Sequence, residues 1–253
     1  MNFSIIILAA GLGKRMNNPN EAKVLAKLNG LPLIHYVFQT AISLNPDKIC
    51  IVVGHQKEML ISYIEEHILN LFPFQNIEYV VQTEQLGTGH AVKCCENNFK
   101  EYTGKILILS GDVPLLTRET LSNFIENSKE TDLSVMTSIA SAPSGYGRIL
   151  RDNDGNIIAI KEEKDTSDWE RLINEINAGI YIVGSNLLFS LLEKVENKNN
   201  VGEYYLTDII SIGLTEKKRV VANTIVNLSE VEGINTMEQL QKIRNFLSKK
   251  ETQ

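Results

Sequence analysis

Cysteine is scarce in this 253-residue chain: Cys50, Cys94 and Cys95 are the only three, and two are adjacent. An odd count with a neighbouring pair argues against a disulfide framework and for a reducing, cytoplasmic setting. A basic excess is missing as well. The 25 Lys and Arg stand against 31 Asp and Glu, for a formal charge of −6, which argues against bulk nucleic-acid binding, since that wants a basic stripe to neutralise phosphates. No apolar run approaches the roughly 18 residues of a membrane span, so neither nucleic acid nor membrane is an expected partner. The apolar stretch Phe3–Ala10 is short, follows no basic segment and runs into Gly11, Lys14 and Arg15, unlike a secretory signal. The histidines at 35, 55, 67 and 90 lack metal-ligand spacing, and no Gly-x-Ser-x-Gly elbow supplies a serine nucleophile. The remaining composition, 43% hydrophobic and 22% charged, is that of an ordinary globular protein.

Short apolar runs alternate with longer amphipathic stretches, the pattern of βαβ units. It predicts an α/β fold with a Rossmann-like, doubly wound, mostly parallel sheet and a small inserted β-hairpin lobe. Strands are expected at 3–8, 49–53, 77–81, 106–109, 133–138, 177–183 and 220–225. Helices are expected at about 31–44, 58–69, 88–95, 118–129, 186–193 and 236–248. The turn-forming run 152–156 between two apolar segments predicts the hairpin, in a lobe of about 140–175. A main domain of 1–230 is then followed by a C-terminal segment, 231–253. There Met237, Leu240, Ile243, Phe246 and Leu247 form one stripe behind an N-cap at Thr236 or Asn235.

Three loops could carry chemistry. Leu8-Ala9-Ala10-Gly11-Leu12-Gly13-Lys14-Arg15-Met16 follows a buried strand, so its N–H groups emerge at the sheet edge where open α/β folds bind ligands. It lacks the third glycine of a dinucleotide loop and the spacing of a Walker loop. It is either an anion-binding turn, to which Lys23 adds a cation, or a tight turn with Lys14 and Arg15 solvated. Ser110-Gly111-Asp112 closes another buried strand; its carboxylate suits Mg²⁺, or it caps the next turn. In Gln82-Thr83-Glu84-Gln85-Leu86-Gly87-Thr88-Gly89-His90, the Gln82 amide can read a base edge, or Thr88 is simply a helix cap.

Together these segments resemble the sugar nucleotidyltransferases, in particular the uridyltransferase half of the bacterial bifunctional N-acetylglucosamine-1-phosphate uridyltransferases. The resemblance extends through Lys23-Val24-Leu25, Gly111-Asp112-Val113-Pro114-Leu115, Gly145-Tyr146-Gly147-Arg148-Ile149, Glu175-Ile176-Asn177, Gly202-Glu203-Tyr204-Tyr205-Leu206-Thr207-Asp208 and Glu230-Val231-Glu232-Gly233-Ile234-Asn235. Two departures stand out. Ala22 replaces a proline, with one extra residue before Lys23, and the hexapeptide repeats of the acetyltransferase half are not found in this sequence.

The resemblance implies transfer of UMP from UTP to N-acetylglucosamine 1-phosphate, with Mg²⁺ on Asp112 and Asn235. Arg15 and Lys23 would be the catalytic cations on the triphosphate. Leu8, Ala9, Ala10, Gly11 and Gln82 would hold the uridine, with Gly87 and Thr88 against base and sugar and Ser110 and Gly111 beside them. Gly147, Glu162, Asn177, Tyr205 and Thr207 would take the N-acetyl sugar, and Asn235 would also touch substrate. A monomer or weak dimer is expected. The alternatives are a uridyltransferase for another sugar 1-phosphate, or a nucleotide-sugar sensor without turnover.

Overall fold

A computed structural model describes residues 1–11, 13, 22–71 and 76–250. The strands are β1 (Phe3–Leu8), β2 (Lys27–Leu28), β3 (Leu31–Pro32), β4 (Ile49–Val53), β5 (Ile77–Val81), β6 (Lys105–Ser110), β7 (Leu133–Ile139), β8 (Arg148–Arg151), β9 (Ile157–Lys161), β10 (Glu175–Gly184) and β11 (Val220–Ile225). The helices are α1 (Leu33–Ser43), α2 (Lys57–Ile64), α3 (Thr88–Lys93), α4 (Arg118–Asn127), α5 (Ser185–Leu192), α6 (Asp208–Thr215) and α7 (Met237–Lys250). The main sheet runs β5-β4-β1-β6-β10-β7-β11. Its β1–β4, β1–β6, β4–β5 and β7–β11 pairings are parallel, whereas β10 is antiparallel to both β6 and β7. It is the Rossmann-like, mostly parallel sheet that the alternating pattern predicts.

Strands apolar on both faces need a layer on each. Ile5 and Ile7 of β1 point into a core built with α1, α2 and α4, while Ile6 points into a second core with α3, α5 and α6. Cys50 and Cys95 face each other in that second core with 3.6 Å between their sulfurs. A third cluster seats Leu240 and Ile243 of α7 on Leu28, Leu33 and Ile234, which anchors the C-terminal segment on β2 and the start of α1.

Three elements differ from expectation. The helix foreseen from Leu31 starts at Leu33, because Leu31–Pro32 pairs back onto Lys27–Leu28. The Asn29-Gly30 turn between them has φ of 47° and 89°, the left-handed pair that a two-residue hairpin requires. The helix foreseen over 58–69 is an α-helix to Ile64 that widens into a π-turn over Glu65–Leu69. Helix α6 was not foreseen; it begins at Asp208, directly after Thr207, and buries Ile209, Ile210 and Gly213. The expected hairpin is β8–β9, joined to β10 through Arg148 and Ile176.

From β1 the chain builds outward through β4 to β5, then returns through α3 to β6 on the other flank of β1. That reversal opens a crevice at the carboxyl ends of β1 and β6, where Leu8 and Ser110 are register partners.

Candidate active site

A cavity of about 570 Å³ opens over this crevice, floored by Leu8, Ala9, Ala10 and Gly11 and walled by Lys23, Gln82, Gly87, Thr88, Ser110 and Asp112. Backbone bonds fix the floor: Ala9 N donates to Val52 O and Gly111 N to Leu8 O, both at 2.9 Å. Lys14, Arg15 and Met16 lie outside the described residues, so the expected triphosphate contact of Arg15 is not located.

The wall at Gln82 is held from both sides. Its Nε2 lies 3.1 Å from Gly87 O and 3.1 Å from His90 Nδ1. The loop 84–90 is in turn clamped to the segment 203–206. Tyr204 N donates to Leu86 O at 2.7 Å, Gly89 N to Tyr204 O at 2.8 Å, and Leu206 N to Thr88 Oγ1 at 3.0 Å. The two most distinctive sequence segments are therefore one packed unit. Gly87 is at its centre, with φ +113° and a Cβ position only 2.5 Å from Tyr204 O.

Lys23 enters on a short 3-10 turn whose next two residues, Val24 and Leu25, are buried. Ala22 before it has φ −60°, the value a proline would fix, so the missing ring leaves the turn's shape intact. Gly13, at φ +60°, approaches so closely that a Cβ there would sit 2.8 Å from Lys23 Cβ. The Lys23 ammonium pairs with Asp112 Oδ2 and donates to Asn235 Oδ1 at 3.0 Å. Two contacts bring Asn235 there. Ile234 N donates to Asp112 O at 3.0 Å, and a capping box starts α7. In that box Gln239 N donates to Thr236 Oγ1 at 3.2 Å, while Gln239 Oε1 accepts from Thr236 N at 3.0 Å and from Asn235 N at 2.7 Å.

A carboxylate and a carboxamide oxygen thus converge on one cationic atom. They fit a divalent cation of hard, oxygen-seeking character that takes its remaining ligands from phosphate and water. Among the described residues no cluster of three or more His, Cys, Asp or Glu forms a self-sufficient metal cage.

A second cavity, of about 280 Å³, shares Leu8, Thr88, Ser110, Asp112 and Asn235 with the first and adds Gly147, Glu162, Asn177 and Thr207. Glu162 Oε1 accepts from Thr207 Oγ1 at 3.2 Å. Burial pushes the Glu162 carboxyl above its ordinary range, the Thr207 hydroxyl opposes that, and nearby Asp208, Asp165 and Glu203 add to it. Asn177 is braced by Gly179 N on its oxygen, at 2.9 Å, and donates to Tyr181 Oη at 2.8 Å. Tyr205 is not brought to either cavity lining; its hydroxyl faces the Asp165 carboxylate. Gly111 lies under the site, packed on Ile34, Leu8 and Val24.

Sequence reading passed over several lining residues. Lys164, Glu203 and Gln85 border the first cavity, and Tyr146 and Tyr181 the second. Burial, ahead of the charges of Glu232 and Asp112, raises the Tyr146 hydroxyl to about 12, so it is a neutral group at physiological pH. Tyr146 and Glu203 sit inside distinctive segments and could have been found there; Lys164 carries no local signal.

Two proteins named bifunctional protein GlmU, from Francisella tularensis subsp. novicida and Francisella philomiragia, are 42% and 41% identical over 243 residues. Each match covers 96% of this chain and 51% of the relative, so the chain spans about half the length of the curated relatives it matches. A solved UDP-glucose pyrophosphorylase in complex with UDP-glucose aligns at TM-score 0.78 and 20% identity, over 99% of this chain and 100% of that one. An apo UDP-glucose pyrophosphorylase aligns with the same values. At that identity the likeness is one of fold. The family model described as nucleotidyl transferase matches residues 4–227, and the chain belongs to that family.

Proposed function

We propose that this chain transfers UMP from UTP to N-acetylglucosamine 1-phosphate, yielding UDP-N-acetylglucosamine and pyrophosphate. The observation that carries this reading is the Lys23–Asp112–Asn235 cluster at the shared wall of two cavities. One cavity is lined by the amide of Gln82 and the other by polar groups at sugar scale. The 42% identity to one half of a bifunctional GlmU supports the choice of substrates.

The nucleophile is an oxygen of the sugar phosphate, attacking the α-phosphorus of UTP as pyrophosphate leaves. A phosphate monoester has its second pKa near 6, so that oxygen is already anionic and no general base is required. The barrier is the repulsion of two anions and the charge gathering on the leaving group, so positioning and fixed positive charge must supply the acceleration. Lys23 supplies such charge at the junction of the cavities, and Arg15 would meet the outer phosphates. Asp112 and Asn235 would hold Mg²⁺, which when bound neutralises phosphate charge and acts as a Lewis acid. Gln82 would read the base, and Glu162, Asn177 and Thr207 would orient the sugar.

Pyrophosphate release measured with UTP, Mg²⁺ and a panel of sugar 1-phosphates tests the reading. Preference for N-acetylglucosamine 1-phosphate is expected. Preference for glucose or N-acetylgalactosamine 1-phosphate would reassign the sugar, and no release with any of them would leave a nucleotide-sugar sensor.

A further inference from the structure

His90 stands between two cavities. Its Nδ1 faces Gln82 at 3.1 Å, while its ring also lines a separate cavity of about 750 Å³ between α3 and the 192–198 segment. The hydrogen-bond logic around it closes on one solution. Gly87 O can only accept, so the Gln82 group 3.1 Å away must be the amide nitrogen. That nitrogen has two hydrogens, and its second neighbour is His90 Nδ1. Nδ1 must therefore accept, which puts the ring proton on Nε2, 3.9 Å from Cys94 Sγ. Both Gln82 hydrogens are then committed. Its Oε1, with no partner among the described residues, is the remaining polar atom of that side chain in a cavity-lining position.

We infer that His90 is a positioning residue that sets nucleobase choice by locking the Gln82 amide with its acceptor available to the base. An acceptor there pairs with a ring N–H, as in uracil, and opposes the lone pair that cytosine presents at the same ring position. The inference deepens the uridyltransferase reading and rests on it for the identity of the reaction.

The test compares UTP with CTP in the unmodified chain and in two variants. His90→Phe keeps a ring but has no acceptor. His90→Asn can place its Oδ1 near the former Nδ1. With His90→Phe, the preference for UTP over CTP in kcat/KM is expected to fall about tenfold, the scale of one misaligned hydrogen bond at a buried polar group. The KM for the sugar 1-phosphate should stay unchanged. His90→Asn is expected to keep the preference within about threefold.

Retained preference in His90→Phe, or equal damage in both variants, would overturn the inference. Long-range ¹H–¹⁵N spectra of the unmodified chain, with His90 assigned by through-bond correlation of its ring to its own backbone, are independent of any variant's folding. They should show the proton on Nε2, and a proton on Nδ1 would overturn it. Calorimetric binding of UTP and CTP separates the two readings. UTP-selective binding without pyrophosphate release refutes the reaction but keeps the base lock, whereas turnover without base selectivity does the reverse.

Discussion

Asn235 Oδ1 accepts a 3.0 Å hydrogen bond from the Lys23 ammonium across 212 positions of chain. The same ammonium pairs with Asp112, so three segments remote in sequence share one partly buried polar contact. The ammonium is held by both oxygens, so substituting Lys23 or Asp112 changes the charge that two phosphates would meet.

Asp112 is the one full negative charge in that contact. Asp112→Ala should lose at least about 100-fold in Mg²⁺-dependent turnover, read as pyrophosphate release across a Mg²⁺ titration. Near-normal turnover at ordinary Mg²⁺ would remove the ligand role from this residue.

Lys23 lines the larger cavity and pairs with Asp112, which borders both, where the proposed transfer would gather charge. Lys23→Ala should lower kcat by about 100-fold while KM for UTP moves far less, because the contact strengthens as the reaction proceeds. Steady-state kinetics check the split, and an effect confined to KM would mean uniform phosphate binding.

Gly87 carries both a left-handed φ of +113° and a Cβ position 2.5 Å from Tyr204 O. Gly87→Ala must strain its backbone and part the loop from its partner segment. A loss of about 1–3 kcal/mol in stability is expected, seen as a lower melting temperature, together with a raised KM for UTP. Unchanged melting and kinetics would show that the two segments can separate freely.

Much of this was legible in the sequence. Runs such as Ile5-Ile6-Ile7 have no polar face, so they could only be buried strands with a layer on each side. Asp112 stood out because a charge at the end of such a strand needs a partner, and Lys23 because it adds a cation to the first loop. What escaped was set by tertiary contact. The pairing of Leu86 with Tyr204 and of Thr88 with Leu206 is invisible until the fold brings those loops together. Tyr205 shares a distinctive segment with Thr207, yet Tyr205 faces Asp165 while Thr207 faces Glu162. The Asn29-Gly30 hairpin was readable from its turn residues but lay hidden before a stronger helical pattern.

Glu162 links stability to function. Its carboxyl is raised mainly by burial, so the folded chain holds that proton more tightly than the unfolded chain. Stability therefore falls as pH rises from the ordinary glutamate value toward the raised one, and the deficit persists above it. Glu162→Gln should remove the deficit and melt higher at neutral pH, while KM for the sugar 1-phosphate rises about tenfold for loss of a charged contact. A variant that melts lower and binds sugar normally would contradict both halves.

His35 gives the opposite slope. It is buried on α1, with Nδ1 2.9 Å from Tyr63 Oη and the Tyr36 and Tyr63 rings packed edge-on. Burial first, and His67 second, lower its pKa from the ordinary 6.5. The unfolded chain then binds this proton more readily than the folded one. Stability is full above pH about 6.5 and declines as pH falls through the window down to the lowered value. Urea midpoints measured from pH 8 to pH 5 should drop across that window, and His35→Gln, which can still meet Tyr63 but cannot take the charge, should flatten the drop. An equal drop in the variant would assign the acid sensitivity to other groups.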